Sequence, residues 1–195
     1  DNMKSKVLVF LLMILVATPG YPEVPPPPAS PVALSIIIDA GSSNRPVWND
    51  LQALARQAIA SLRAGDFLEV ISSDPWDPHI RLAHTMIQGR PDEVDNLCMQ
   101  LRKIELPWIG DTDVIRALEL GIDRMRKFRQ DHPEATPVFT VLSDGQLRDE
   151  EAAVCTTLTE QVENQLHGRL YFTGTKDTSR KLLIQAGNHT VRWSL

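Results

Sequence analysis

From Val32 onward the chain alternates between short apolar runs and longer stretches whose apolar residues recur every three or four positions. Val32 to Ile38 is almost wholly apolar, which predicts a strand buried on both faces. Asp50 to Leu62 places Leu51, Leu54, Ala55, Ala58, Ile59 and Leu62 on one helical stripe. Phe67 to Ser72 and Ile80 to Ile87 read as strands, joined by a turn over Ser73 to Pro78. Helices follow over Asp92 to Ile104 and Asp113 to Phe128, the latter with Val114, Ala117, Leu118, Ile122 and Met125 inward. Pro137 to Leu142 is a second strand of the fully buried type. A helix over Glu150 to Leu166, a strand over Leu170 to Thr173, a helix over Thr178 to Ala186 and a short strand over Thr190 to Ser194 complete the order. Strands alternating with helices predict a three-layer, Rossmann-like α/β fold, with a mostly parallel central sheet flanked by helices.

Before Val32 the pattern is different. Lys4 and Lys6 precede an unbroken apolar run from Val7 to Ala17. That run falls short of the roughly 20 residues a membrane-spanning helix needs, and its positive flank reads as a secretory signal over residues 1–20. Asp1 and Asn2 stand ahead of Met3 and are set aside as a start-site remnant. Residues 21–31 carry Pro22, Pro25, Pro26, Pro27, Pro28 and Pro31, which favour an extended, semi-rigid tether. The folded domain is expected over 32–195. The protein is therefore expected to be exported, to the periplasm or the extracellular space, with no membrane span in its mature part.

Charge narrows the partners. The chain has 20 basic and 25 acidic residues, a net charge of -5, and no basic run beyond the N-terminus. Nucleic acid is not expected as a ligand, because phosphate binding needs clustered Lys and Arg. The two cysteines, Cys98 and Cys155, lie on the apolar stripes of their helices and read as buried free thiols.

Ligands of open α/β sheets bind at the carboxyl ends of the strands, so the loops there matter most. The first strand runs into Asp39-Ala40-Gly41-Ser42-Ser43, and the later buried strand into Ser143-Asp144-Gly145. Gly110-Asp111-Thr112-Asp113 stands just before the long helix. Together these loops bring carboxylates and hydroxyls to one end of the sheet. Such hard oxygens suit Mg²⁺, Mn²⁺ or Ca²⁺. Each segment alone is also an ordinary turn or helix cap.

In order and spacing the three segments resemble the von Willebrand factor A domain and its metal ion-dependent adhesion site, over essentially Pro31 to Leu195. The family pattern is Asp-x-Ser-x-Ser, then an isolated Thr, then an Asp. Asp39 and Ser43 match the first part, Thr112 the second and Asp144 the third. The resemblance implies Mg²⁺ held directly by Ser43 and Thr112 and through water by Asp39 and Asp144. It further implies a protein partner whose carboxylate completes the metal shell. Gly41 departs from the pattern, replacing the middle serine and removing one hydroxyl ligand. Ser42 is adjacent, but its side chain is expected to point elsewhere.

The Asp39–Ser43 loop is also similar to the first phosphate loop of the ecto-apyrases, which keeps a nucleotide hydrolase or phosphate-binding enzyme as the alternative. That family has two large lobes and a second glycine-rich Asp loop, which this chain lacks. No hydrolytic triad or Cys-His pair is signalled, so the chain is expected not to be an enzyme. A metal-free scaffold is the third reading, motivated by Gly41. Trp48, Trp76 and Trp108 fall near the same end of the fold and, with Gly41 and Ser42, are candidate partner contacts.

Overall fold

A computed structural model describes residues 30–173 except 75, 105, 107–109, 111 and 145–148. The expected leader over 1–20, nearly all of the Pro-rich segment, the helix over Thr178 to Ala186, the strand over Thr190 to Ser194, and Trp108 lie outside the described residues.

Five strands form one sheet: β1 Val32–Asp39, β2 Phe67–Ser73, β3 His79–Met86, β4 Thr136–Leu142 and β5 Arg169–Thr173. Their order is β3-β2-β1-β4-β5. β1 pairs parallel with β2 and β4, and β4 with β5; β3 alone is antiparallel, against β2. A short turn suffices to return an antiparallel strand, whereas the parallel pairs need crossover helices. Those helices are α1 Trp48–Ala60, α2 Glu93–Leu101, α3 Val114–Asp131 and α4 Asp149–Leu166. None among the described residues is long and apolar enough to cross a membrane.

The pleat of β1 explains why its run is apolar throughout. Leu34, Ile36 and Ile38 enter a core with Leu51, Ala55 and Ile59 of α1 and Leu97 and Leu101 of α2. Ala33 and Ile37 enter the opposite core, with Leu118, Ile122 and Met125 of α3 and Leu158 and Val162 of α4. Side chains alternate faces along a strand, so a strand covered on both sides needs apolar residues at nearly every position. Cys98 and Cys155 are free and buried, one in each core. Burial raises the pKa of both thiols, that of Cys155 to about 12.

Several boundaries shift from the expected ones. A six-residue 3-10 helix, Ser42–Val47, precedes α1, which then begins at Trp48. α3 runs three residues past Phe128. There Arg129 donates to the carbonyl oxygens of Leu166 and Pro133, which holds the last turn against the end of α4.

One group of charges is buried on the α3 side. Glu69, in the middle of β2, is fully buried. It accepts from Arg124 Nε of α3 and from Ser35 Oγ at 3.2 Å, and lies 3.3 Å from His84 Nδ1. His84 stacks on Phe128 at 4.2 Å, and Phe128 on His132 at 4.5 Å. Burial pushes the Glu69 carboxyl up while the Arg124 guanidinium pulls it back. Burial lowers His84 to about 4, helped by the positive charge of Arg124.

Candidate metal centre

The carboxyl ends of three strands meet at Asp39. In β1, Asp39 has the same parity as Ala33 and Ile37, so the pleat turns it toward the α3 side of the sheet. Its register partner in β2 is Ser73, and Ile38 pairs with Leu142 of β4, which sets Ser143 beside it. Three adjacent strands thus end in polar side chains of matching parity.

The Asp39 carboxylate is held by four donors. Oδ1 accepts from Thr112 Oγ1 at 2.7 Å, Gly41 N at 3.0 Å and Ser73 Oγ at 3.3 Å. Oδ2 accepts from Ser143 Oγ at 2.7 Å. Ser73 Oγ in turn accepts from Ala40 N at 3.0 Å. A carboxylate only 8% exposed has lost most of its hydration, and these bonds replace it.

Thr112 reaches Asp39 because two features fix its loop. Asp113 caps α3, accepting from Arg116 N at 2.9 Å. Gly110 adopts φ +142°, a left-handed region that favours glycine, and its carbonyl oxygen accepts from both the backbone nitrogen and Oγ of Ser42. The Ser42 side chain is thus turned to the neighbouring loop and binds it.

Asp144 joins the group through a residue that sequence reasoning passed over. Its backbone nitrogen donates to Asn44 Oδ1 at 2.6 Å. Asn44 is completely buried, and its Nδ2 has no acceptor among the described residues. A Cβ built on Gly41 would lie 3.0 Å from Thr112 Oγ1, 3.2 Å from Asp39 Oδ1 and 3.7 Å from Asn44 Nδ2. These three atoms converge on the side of Gly41 where a side chain would go. Ser43, by contrast, is exposed and stands outside the hydrogen-bonded group around Asp39. Ser73, Ser143 and Asn44 are the members of this hydrogen-bonded group that sequence reasoning missed. The only sequence signal for the two serines was a hydroxyl at a strand end with the same parity as the inward face.

The donor set fits a hard divalent cation in part. Asp39 and Thr112 offer oxygens beside Gly41, and Asp144 lies one hydrogen bond away through Asn44. The Asn44 nitrogen is a donor and no ligand. No cluster of three or more His, Cys, Asp and Glu side chains is present among the described residues, so a softer, zinc-type ligand set is absent from them.

The tryptophans separate. Trp48 packs against the α1–α2 core. Trp76 is 89% exposed on the β2–β3 loop. That loop is tied to the start of α3: Arg116 pairs with Asp77 at 2.7 Å and donates to the Trp76 carbonyl oxygen at 3.4 Å.

No family model matches the sequence, and no curated protein matches it. Solved structures do. Proximal thread matrix protein 1 from the mussel byssus aligns over 80% of this chain and 40% of its own, at 10% identity and a TM-score of 0.55. The same protein with a zinc-occupied metal ion-dependent adhesion site aligns over 74% of this chain and 37% of its own, at 11% identity and a TM-score of 0.51. The N-terminal domain of TFIIH p34 aligns over 80% of this chain and 88% of its own, at 10% identity and a TM-score of 0.52. A von Willebrand factor type A structure from Catenulispora acidiphila is also matched, at 12% identity, 80% of this chain, 42% of that one and a TM-score of 0.49. The chain spans less than half the length of the mussel protein and of the Catenulispora protein. At these identities the likeness concerns fold alone, and with the strand order it shows a Rossmann-like α/β domain with a mostly parallel sheet flanked by helices.

Proposed function

We propose that this chain is an exported A-type domain that binds a protein partner through a divalent cation, Mg²⁺ by preference, and that it is not an enzyme. The observation that carries the reading is the meeting of Asp39 and Thr112 at 2.7 Å, at the strand ends where this fold places its ligands. In this reading Asp39 and Thr112 hold the ion, Asp144 balances its charge, and Ser43 contributes only if its exposed turn closes over the ion. The ion supplies a Lewis-acidic position open to a carboxylate of the partner. Trp76 stands ready as an apolar anchor on the same rim, its loop already fixed by Arg116. The mussel protein with zinc in its adhesion site lends the fold a metal-binding precedent. The signal-like and Pro-rich N-terminal segments favour a domain held off a surface or assembly in the envelope or outside the cell.

A second reading has its own observation. All four donors to Asp39 are groups of the protein itself, so its carboxylate is satisfied without a cation, which favours a metal-free scaffold. The two part in a capture experiment on host proteins with the full chain as bait. The metal reading expects a partner retained in Mg²⁺, released by chelator, and lost with Thr112→Ala and with Trp76→Ala. Retention unaffected by chelator and by Thr112→Ala selects the scaffold.

A further inference from the structure

We propose that Asn44 is the specificity-determining residue of this site, its side-chain NH₂ donating a hydrogen bond to a carboxylate oxygen that binds beside Gly41. The proposal rests on the reading that Asp39 and Thr112 hold a divalent cation, and assigns a role to a residue outside that set.

The orientation of the amide is fixed. Asn44 Oδ1 accepts from Asp144 N at 2.6 Å, so the oxygen must face Asp144 and the nitrogen must face away from it. The nitrogen then lies on the side of Gly41 shared with Thr112 Oγ1 and Asp39 Oδ1. There it is buried without an acceptor among the described residues. An unsatisfied buried donor costs roughly 1–3 kcal/mol, so a ligand that accepts from it recovers that cost on binding. An NH₂ group repels a cation and cannot ligate one, which leaves an oxygen acceptor as its partner. Of the oxygens available to such a site, an anionic carboxylate accepts most strongly and is drawn by the cation as well.

Gly41 is part of the same device. Any side chain at 41 would start 3.0 Å from Thr112 Oγ1 and would crowd the approach to Asn44 Nδ2. The position without a hydroxyl, Gly41, thus lies beside a side-chain donor, Asn44, which offers a hydrogen bond to the ligand's oxygen. The serine-to-glycine departure reads as a change in how the incoming carboxylate is gripped.

The test is nuclear magnetic resonance on the ¹⁵N-labelled full chain, with acetate as probe, Mg²⁺ present or absent, and chloride as the ionic-strength control. The proposal expects the Asn44 side-chain pair to shift saturably with acetate and not with chloride. Asn44→Asp keeps the acceptor for Asp144 N and replaces the donor by an oxygen. It should preserve or strengthen the response of the Gly41 and Thr112 amides to Mg²⁺ while weakening acetate about tenfold or more, the loss of one charge-assisted hydrogen bond. If Mg²⁺ moves Gly41 and Thr112 but acetate leaves the Asn44 pair unmoved, or if Asn44→Asp binds acetate as well as the wild type, the proposal is wrong and the metal reading stands. If Mg²⁺ moves nothing, the metal reading fails. The Asn44 role then survives only if acetate alone moves its side-chain pair, and falls if it does not.

Discussion

Arg124→Met should be among the most damaging single changes far from the candidate site, and its cost should depend on pH in a defined way. The substitution leaves Glu69 fully buried with only Ser35 Oγ at 3.2 Å and His84 Nδ1 at 3.3 Å near it. Removing one partner of a buried ion pair typically costs ~3–5 kcal/mol. Here a ceiling applies, because Glu69 can take up a proton instead of remaining an unpaired anion. From its ordinary pKa of 4.5, that protonation at pH 7 costs about 3.4 kcal/mol, at 1.36 kcal/mol per unit. At pH 5 the same escape costs only about 0.7 kcal/mol. The direction follows from linkage: a carboxyl raised in the folded state binds a proton that the unfolded chain releases, so stability falls as pH rises above 4.5. Urea unfolding of the full chain, followed by tryptophan fluorescence, should therefore place the variant about 3 kcal/mol below wild type at pH 7 and about 1 kcal/mol below at pH 5. Glu69→Gln added to Arg124→Met should recover most of the loss at pH 7 and remove its pH dependence. A penalty equal at both pH values, or a double variant no better than the single, would refute the assignment of the cost to a stranded Glu69.

Burial at other positions leads to two further outcomes. The folded chain refuses a proton at His84 until about pH 4, whereas the unfolded chain accepts one near 6.5. Stability contributed by this group is therefore present above pH 6.5 and lost as pH falls toward 4, by about 3 kcal/mol in all; His84→Phe should flatten that part of the urea-midpoint profile. With both thiols buried and their pKa values raised, Cys98 and Cys155 should resist a thiol-trapping disulfide reagent in the native chain and react together in urea. Rapid native labelling of Cys155 would contradict its place in the core.

How much of this was legible beforehand follows from the range of the signal. β1 and β4 announce themselves because strands buried on both faces need apolar residues in sequence, and α3 because its stripe is long. The loops carrying Asp39, Thr112 and Asp144 are short motifs at strand or helix ends, so their positions were readable. What they touch was not. Ser73 and Ser143 reach Asp39 through the register of β1 with β2 and β4, which no local pattern encodes. The motif points to Ser43, and the 3-10 turn over Ser42–Val47 exposes it and buries Asn44. A 3-10 turn brings three residues round where an α-helix brings 3.6, so the inward position depends on which of the two forms. The Glu69–Arg124 pair spans 55 residues and a His from the edge strand, and only the packed fold brings them together.

Calorimetric titration of the chelator-treated full chain with Mg²⁺ and Mn²⁺ is the test of whether Asp39 and Thr112 hold a divalent cation. Asp39→Asn and Thr112→Ala serve as controls, with urea unfolding run beside them to show that each remains folded. The wild type should bind one equivalent saturably, with affinity weakened about tenfold or more in each folded variant, the loss of one oxygen ligand or one charge at the ion. Absence of binding by the wild type in the presence of acetate, or binding unchanged by either substitution, would contradict that role for Asp39 and Thr112.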